Sequence, residues 1–176
     1  MRCGKLTPTF SLAVNEAMRL LAADERTVFV GQSVRYDGAA IYHSLDGVPM
    51  DKRLEFPVVE NLQLGYCTGL SLTGKLPVCI YPRMDFLLLA MDALVNHLDK
   101  LPGFGWNPKV IIRCRVGQKT PLDAGPQHTQ NYSDAFKLML RHVHVWELRT
   151  VQDVEIMYPL ALTATHSVVI VENPIP

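Results

Sequence analysis

The chain has 176 residues, the length of one domain, with 17 Lys plus Arg set against 17 Asp plus Glu for a formal charge of zero. That balance argues against a nucleic-acid binder or a basic membrane-surface protein, either of which would carry a clustered cationic excess. With 48% hydrophobic and 19% charged residues, disorder is excluded, and a core that buries roughly 70% of the unfolded surface needs no disulfide or metal staple.

Taken in chain order, apolar runs of two kinds alternate. From Thr9 to Asp24, residues Leu12, Val14, Ala17, Met18, Leu20 and Leu21 recur at helical spacing, with Thr7 as the expected cap and Pro8 in the first turn. Thr27 to Val34 is short and rich in β-branched residues, so it reads as a buried strand. Residues 36–57, with Asp37-Gly38 and Asp46-Gly47, read as a loop. Glu60 to Thr73 reads as a helix stopped by Gly74, and Leu76 to Tyr81 as a strand. Asp85 to Leu101 predicts a long helix capped by Asp85, with Leu87, Ala90, Met91, Leu94, Leu98 and Leu101 as its core stripe.

Lys109 to Val116 is the next strand. Gly117 to Tyr132 follows as a polar loop, long enough to be functional or mobile. A short helix over Ser133 to Leu140, a strand over Val143 to Leu148, a helix over Gln152 to Thr163 and a strand over Ser167 to Glu172 complete the chain. Strands separated by helices imply crossovers, and crossovers imply a parallel sheet covered on both faces. The expected class is α/β, a doubly wound, mostly parallel sheet, and the strands are almost continuously apolar as such a sheet requires.

Cys3, Cys67, Cys79 and Cys114 form no C-x-x-C pair and read as buried free thiols of a reducing compartment. The N-terminus lacks an apolar h-region, so no secretory leader is expected and the location expected is cytoplasmic. The longest apolar-rich run, Phe86 to Leu98, is broken by Asp92, Asn96 and His97 and is no membrane span. His142 and His144 share one side of a strand without a third metal ligand nearby. No P-loop, dinucleotide fingerprint or nucleophile elbow occurs, which leaves an autonomous nucleotide-binding or hydrolase function without support.

In open parallel sheets, ligands bind outside the carboxyl ends of the strands. The loops there start at Gly31-Gln32-Ser33, Pro82-Arg83-Met84, Gly117 and Glu172. His128, in Gly125-Pro126-Gln127-His128-Thr129-Gln130, is the titratable group of the long loop. Taken alone, it has the look of an ordinary surface histidine. Glu60 likewise reads as a favourable charge in a first helical turn, and Phe86 as core.

The segments in order change that weighting. Gly31-Gln32-Ser33-Val34, Tyr36-Asp37-Gly38, Pro57-Val58-Val59-Glu60, Asp85-Phe86 with Asp92 and Asn96-His97, and Gly125 to Gln130 together resemble the pyrimidine-binding domain of the thiamine diphosphate enzymes. The resemblance is greatest to the β subunit of the E1 component of 2-oxo acid dehydrogenases, with transketolase more distant, and it spans residues 1–176 as one such domain with the thiamin diphosphate-binding fold. It implies that Glu60 bonds the cofactor's N1′ and favours the imino tautomer that deprotonates the thiazolium. Phe86 would stack on the pyrimidine, and His128 would stabilise the substrate's carbonyl oxygen.

The family places the diphosphate and its Mg²⁺ or Ca²⁺ on a second domain through a Gly-Asp-Gly…Asn motif. Asp46-Gly47 lacks the first glycine and the following asparagine, so that half is expected on an α-type partner subunit, in a heteromeric enzyme inactive as this chain alone. The substrate would be a 2-oxo acid or a ketose. Gly65 and Gly69, four apart on one helix face, would mediate self-association into a heterotetramer. Gln32-Ser33 stands where the family carries two acids, and the usual C-terminal domain is expected to be missing after Glu172-Asn173-Pro174. The alternatives are a non-catalytic scaffold or regulatory subunit that keeps the fold, and an excised domain of a longer enzyme.

Overall fold

The computed structural model describes residues 9–119 and 123–175. Six strands form one all-parallel sheet: β1 (Thr27–Gly31), β2 (Arg53–Glu55), β3 (Leu76–Tyr81), β4 (Ile111–Arg115), β5 (His144–Leu148) and β6 (Val168–Glu172), in the order β2-β1-β3-β4-β6-β5. The doubly wound parallel sheet expected from the sequence is therefore present.

Alternate residues along each strand feed two cores. Phe29, Val78, Ile80, Ile111 and Ile170 face α1 (Phe10–Ala22) and α6 (Val151–Thr163). Val30, Cys79, Ile112, Val169 and Val171 face α3 (Glu60–Leu72), the helical stretch that begins at Met84, and α5 (Ser133–Met139). Both faces being covered is the reason the strands carry no polar face. Cys67, Cys79 and Cys114 are buried free thiols as expected, while Cys3 lies outside the described residues.

Four expectations need correction. α1 is capped by Thr9, whose hydroxyl accepts from the Leu12 amide; the expected cap Thr7 and first-turn Pro8 lie outside the described residues. The first strand ends at Gly31, because Ser33 turns the chain in a left-handed conformation (φ 59°). Residues 36–57 hold more than loop: a short helix α2 (Ala40–His43) and the edge strand β2, which pairs with β1. Two residues of Arg53 and Glu55 in a three-residue strand hid it, since edge strands tolerate charge that central strands do not.

The fourth concerns the long helix. It begins at Met84 with Arg83 in the cap position, so Asp85 sits inside the first turn instead of capping it. α4 (Met84–Leu87) gives way to a 3₁₀ turn and then to a π-helical stretch over Asp92–Leu98. The Asn61 side chain accepts the Ala93 amide at 2.9 Å, which supports the widened backbone. Four residues of the expected stripe, Leu87, Ala90, Leu94 and Leu98, are buried, whereas Met91 is only partly covered and Leu101, in a separate 3₁₀ turn, is not buried.

Candidate functional site

The chain runs outward from β1 to the edge strand β2 and then returns past β1 to β3. The connections therefore diverge between β1 and β3, which is where an open α/β sheet forms a crevice beyond its carboxyl edge. Glu60 stands at that point. β2 ends at Glu55, the Phe56 amide continues the ladder onto the Gly31 carbonyl at 2.9 Å, and α3 starts four residues later with Glu60 as its first residue. Glu60 is 7% exposed. Its Oε1 accepts from the Gln32 amide at 3.2 Å, at the end of β1, and its backbone carbonyl accepts from the Tyr81 hydroxyl at 2.8 Å, at the end of β3. Burial first, then the nearby Cys79 and Glu60, pushes the Tyr81 hydroxyl far above its ordinary range, so it stays a donor. The glutamate is thus fixed at the crevice and is not packed into the apolar interior.

Two glycines shape the same edge. A β-carbon on Gly31 would lie 2.7 Å from the Ile80 carbonyl oxygen, and one on Gly117 would lie 2.0 Å from that of His128. Gly117 donates its amide to that His128 carbonyl at 3.0 Å, which draws the far end of the long loop back against β4. The His128 ring then meets the Phe86 ring edge to face, with centroids 5.4 Å apart. His128 Nδ1 is buried without a hydrogen-bond partner, as are Arg83 Nε and Asp85 Oδ2 from the turn that carries Phe86. They are three of six such atoms among the described residues, the others being on Thr27, Gln63 and His166. Glu60, Phe86 and His128 therefore all lie at the carboxyl edge of the sheet; Phe86 and His128 touch, and Glu60 is anchored between β1 and β3.

Several residues of this edge escaped motif reading. Glu55 accepts the amides of Ser33 at 2.5 Å and Arg35 at 2.8 Å, so a carboxylate from β2 holds the turn that lacks the family's own acids. Gln32, Arg83 and Asp85 were signalled by their position just after strand ends. Glu172, in another such position, is instead consumed in the core: Arg113 and Tyr158 bond it, all three side chains buried. Among the described residues, no three His, Cys, Asp or Glu side chains are grouped to hold a metal ion, and His144 stacks on His166 with centroids 3.8 Å apart. Among the described residues, no helix is long and apolar enough to cross a membrane. Gly65 and Gly69 face open space, with nothing within 4 Å of a β-carbon on either, so packing within the domain does not explain them.

The fold is doubly wound α/β, with a carboxylate, an aromatic ring and a histidine at its carboxyl edge. No family model matches the chain. It is 30% identical to the pyruvate dehydrogenase E1 component subunit beta of Cyanidium caldarium over 71% of this chain and 38% of that protein. It is 26% identical to the mitochondrial pyruvate dehydrogenase E1 component subunit beta of Bos taurus over 96% and 48% of the two chains. It is also 26% identical to the 3-methyl-2-oxobutanoate dehydrogenase subunit beta of Mycobacterium tuberculosis (strain CDC 1551 / Oshkosh) over 72% and 37%. A solved split-gene transketolase, an inactive β4 tetramer, superposes with TM-score 0.69 over 93% of this chain and 51% of its own, at 17% identity. The chain is thus a relative of the E1 β subunits of 2-oxo acid dehydrogenases and has the transketolase-like fold. It spans less than half the length of these curated relatives.

Proposed function

We propose that this chain is the pyrimidine-binding half of a heteromeric thiamine diphosphate enzyme acting on a 2-oxo acid or a ketose, with residues 1–176 forming one such domain. The observation that carries the reading is Glu60: a nearly buried carboxylate, held by Gln32 at 3.2 Å at the β1/β3 crevice. Unlike Glu172, which Arg113 neutralises, Glu60 has no cationic partner among the described residues, and a carboxyl group so placed can hold a proton at a facing nitrogen. Thiamine diphosphate supplies the carbanion chemistry when bound.

The residues of this chain supply control. Glu60 holds the proton at N1′. Phe86 offers a flat, half-buried face to a flat ring. His128, free at Nδ1, donates to an oxygen on which negative charge develops. Mg²⁺ or Ca²⁺ and the diphosphate belong to an α-type partner. Self-association uses the open groove of about 530 Å³ that Gly65, Gly69, Leu62, Leu72 and Phe104 line, giving a heterotetramer.

The test is co-expression with an α-type subunit that carries the diphosphate-binding domain, then calorimetry with thiamine diphosphate and turnover of 2-oxo acids and ketoses. The assembled enzyme should bind and turn over, the isolated chain should not, and Glu60→Ala should remove turnover while leaving assembly intact. Full activity of the isolated chain overturns the split arrangement. Assembly without cofactor binding makes the chain a scaffold instead.

A further inference from the structure

We propose that Arg83, just beyond the carboxyl end of β3, recognises the carboxylate of a 2-oxo acid substrate. This deepens the reading of the cleft given above and rests on it for the nature of the substrate. The parallel register aligns Tyr81 of β3 with Cys114 of β4, so Arg83, two residues beyond β3, comes to the carboxyl edge near the backbone of Arg115, the last residue of β4. Gly117 leaves room for the Arg83 side chain: a β-carbon there would lie 3.3 Å from Arg83 Nε as well as against the His128 carbonyl. Arg83 therefore sits one glycine's width from the histidine of the cleft.

What it lacks is an anion. Among the described residues its guanidinium bonds one acceptor, the carbonyl of the adjoining Pro82 at 3.0 Å, and Nε is buried with no partner. Asp85, two residues on, does not serve it: Asp85 Oδ2 is itself buried and unpartnered, and no ion pair joins the two. Arg115 has no ion pair among the described residues either. Arg113, on the same strand, shows the contrast, since Glu172 matches it with two bonds at 2.7 and 3.2 Å. Burial and then the charge of Arg115 lower the pKa of Arg83, with Asp85 opposing, so the pair sits in a field short of negative charge.

A guanidinium keeps its charge throughout and presents donors in a fork that fits a carboxylate. The choice between the two anionic substrate classes follows from distance. A 2-oxo acid carries its carboxylate on the atom next to the reacting carbonyl, whereas the phosphate of a phosphorylated ketose lies several carbons away. Arg83 stands beside His128, the group that faces the reacting oxygen, so the anion it meets is the near one.

The experiment titrates the ¹⁵N-labelled full chain with pyruvate and, separately, with inorganic phosphate, following the Arg83 Nε–H resonance. Pyruvate should shift it saturably. Arg83→Gln should weaken pyruvate binding, seen at the His128 resonances, by about 10- to 100-fold, and Arg83→Lys should fall between. In the assembled enzyme Arg83→Gln should raise KM for the 2-oxo acid by a larger factor than it lowers kcat. Unchanged titration in Arg83→Gln, or an Arg83 resonance that pyruvate does not move, overturns the proposal. Saturation by phosphate but not pyruvate overturns the carboxylate assignment. Thiamine diphosphate binding by the parent assembly is measured apart, so loss of the cofactor reading and loss of this one are told apart.

Discussion

The buried pair of Arg113 and Glu172 fixes the edge from which the cleft is built, and its removal has a calculable effect. Glu172 ends β6 and accepts three bonds, from Arg113 Nε at 2.7 Å, Arg113 Nη2 at 3.2 Å and the Tyr158 hydroxyl at 2.7 Å. Its backbone carbonyl also takes the Val116 amide at 2.9 Å, one residue before Gly117. Burial alone would lower the Arg113 pKa, but Glu172 overrules it and the guanidinium is held firmly charged. Glu172→Leu leaves that charge with the Ser44 hydroxyl, 2.8 Å away, as its described acceptor. Removing one member of a buried pair costs about 3–5 kcal/mol, against a total stability of about 5–15 kcal/mol for a domain. With a urea slope of about 2 kcal/mol per M, the midpoint of the full chain should fall by about 1.5–2.5 M. Arg113→Met with Glu172→Leu removes both charges and should regain most of the loss. A single-variant shift under about 0.5 M, or a double variant no more stable than the single, would refute the reasoning, because either result means the buried charge was never dependent on its partner.

Three further outcomes follow from the geometry. Gln32→Leu removes the donor now 3.2 Å from Glu60 Oε1, so turnover by the assembled enzyme should fall by about tenfold while its melting temperature holds; unchanged turnover means Gln32 does not position Glu60. Gly69→Leu meets nothing within 4 Å inside the chain and replaces a helical glycine, so thermal melting should hold or rise while size-exclusion chromatography shows lost self-association; a lowered melting temperature places the groove inside the fold instead. Burial, then His144 and Lys109, holds the His166 pKa below its ordinary 6.5. The unfolded chain therefore binds that proton first, and the stability it contributes is present above about pH 6.5 and lost as pH falls toward the folded value. His166→Gln should flatten the urea midpoint between pH 7 and 5, and an equally steep curve rules His166 out as the source.

The central strands were legible because periodicity and composition are local. Leu76 to Tyr81 is buried at every position, and its apolar run needs no partner to be recognised. The helix at Glu60 was legible for the same reason, stopping at Gly74, whose φ of 88° only glycine adopts without strain. The edge strand β2 was not. Arg53, Leu54 and Glu55 carry no strand signature, and they pair because the Arg53 guanidinium finds three backbone carbonyls, of Val34, Leu45 and Val48, that the intervening chain folds round to supply. Such a pairing depends on where distant residues end up, which a window of sequence does not contain.

The same division runs through the cleft. The types and order of Glu60, Phe86 and His128 were readable, but what makes each of them usable comes from long range. Glu60 is set by Gln32, 28 residues earlier, and His128 by an amide at Gly117 across the loop. The turn without its acids is rescued by Glu55, 22 residues beyond Ser33. The helix after β3 departs from regularity in the region where propensity alone would have kept it regular, and Asn61 of α3 takes up the amide this frees. Buried polar atoms without a partner occur at six places among the described residues: three at this edge, on Arg83, Asp85 and His128, and three elsewhere, on Thr27, Gln63 and His166. What sets this edge apart is that its three flank Phe86, whose ring meets that of His128, and that coincidence with the motif residues, not the lack of partners, is the argument for a ligand there.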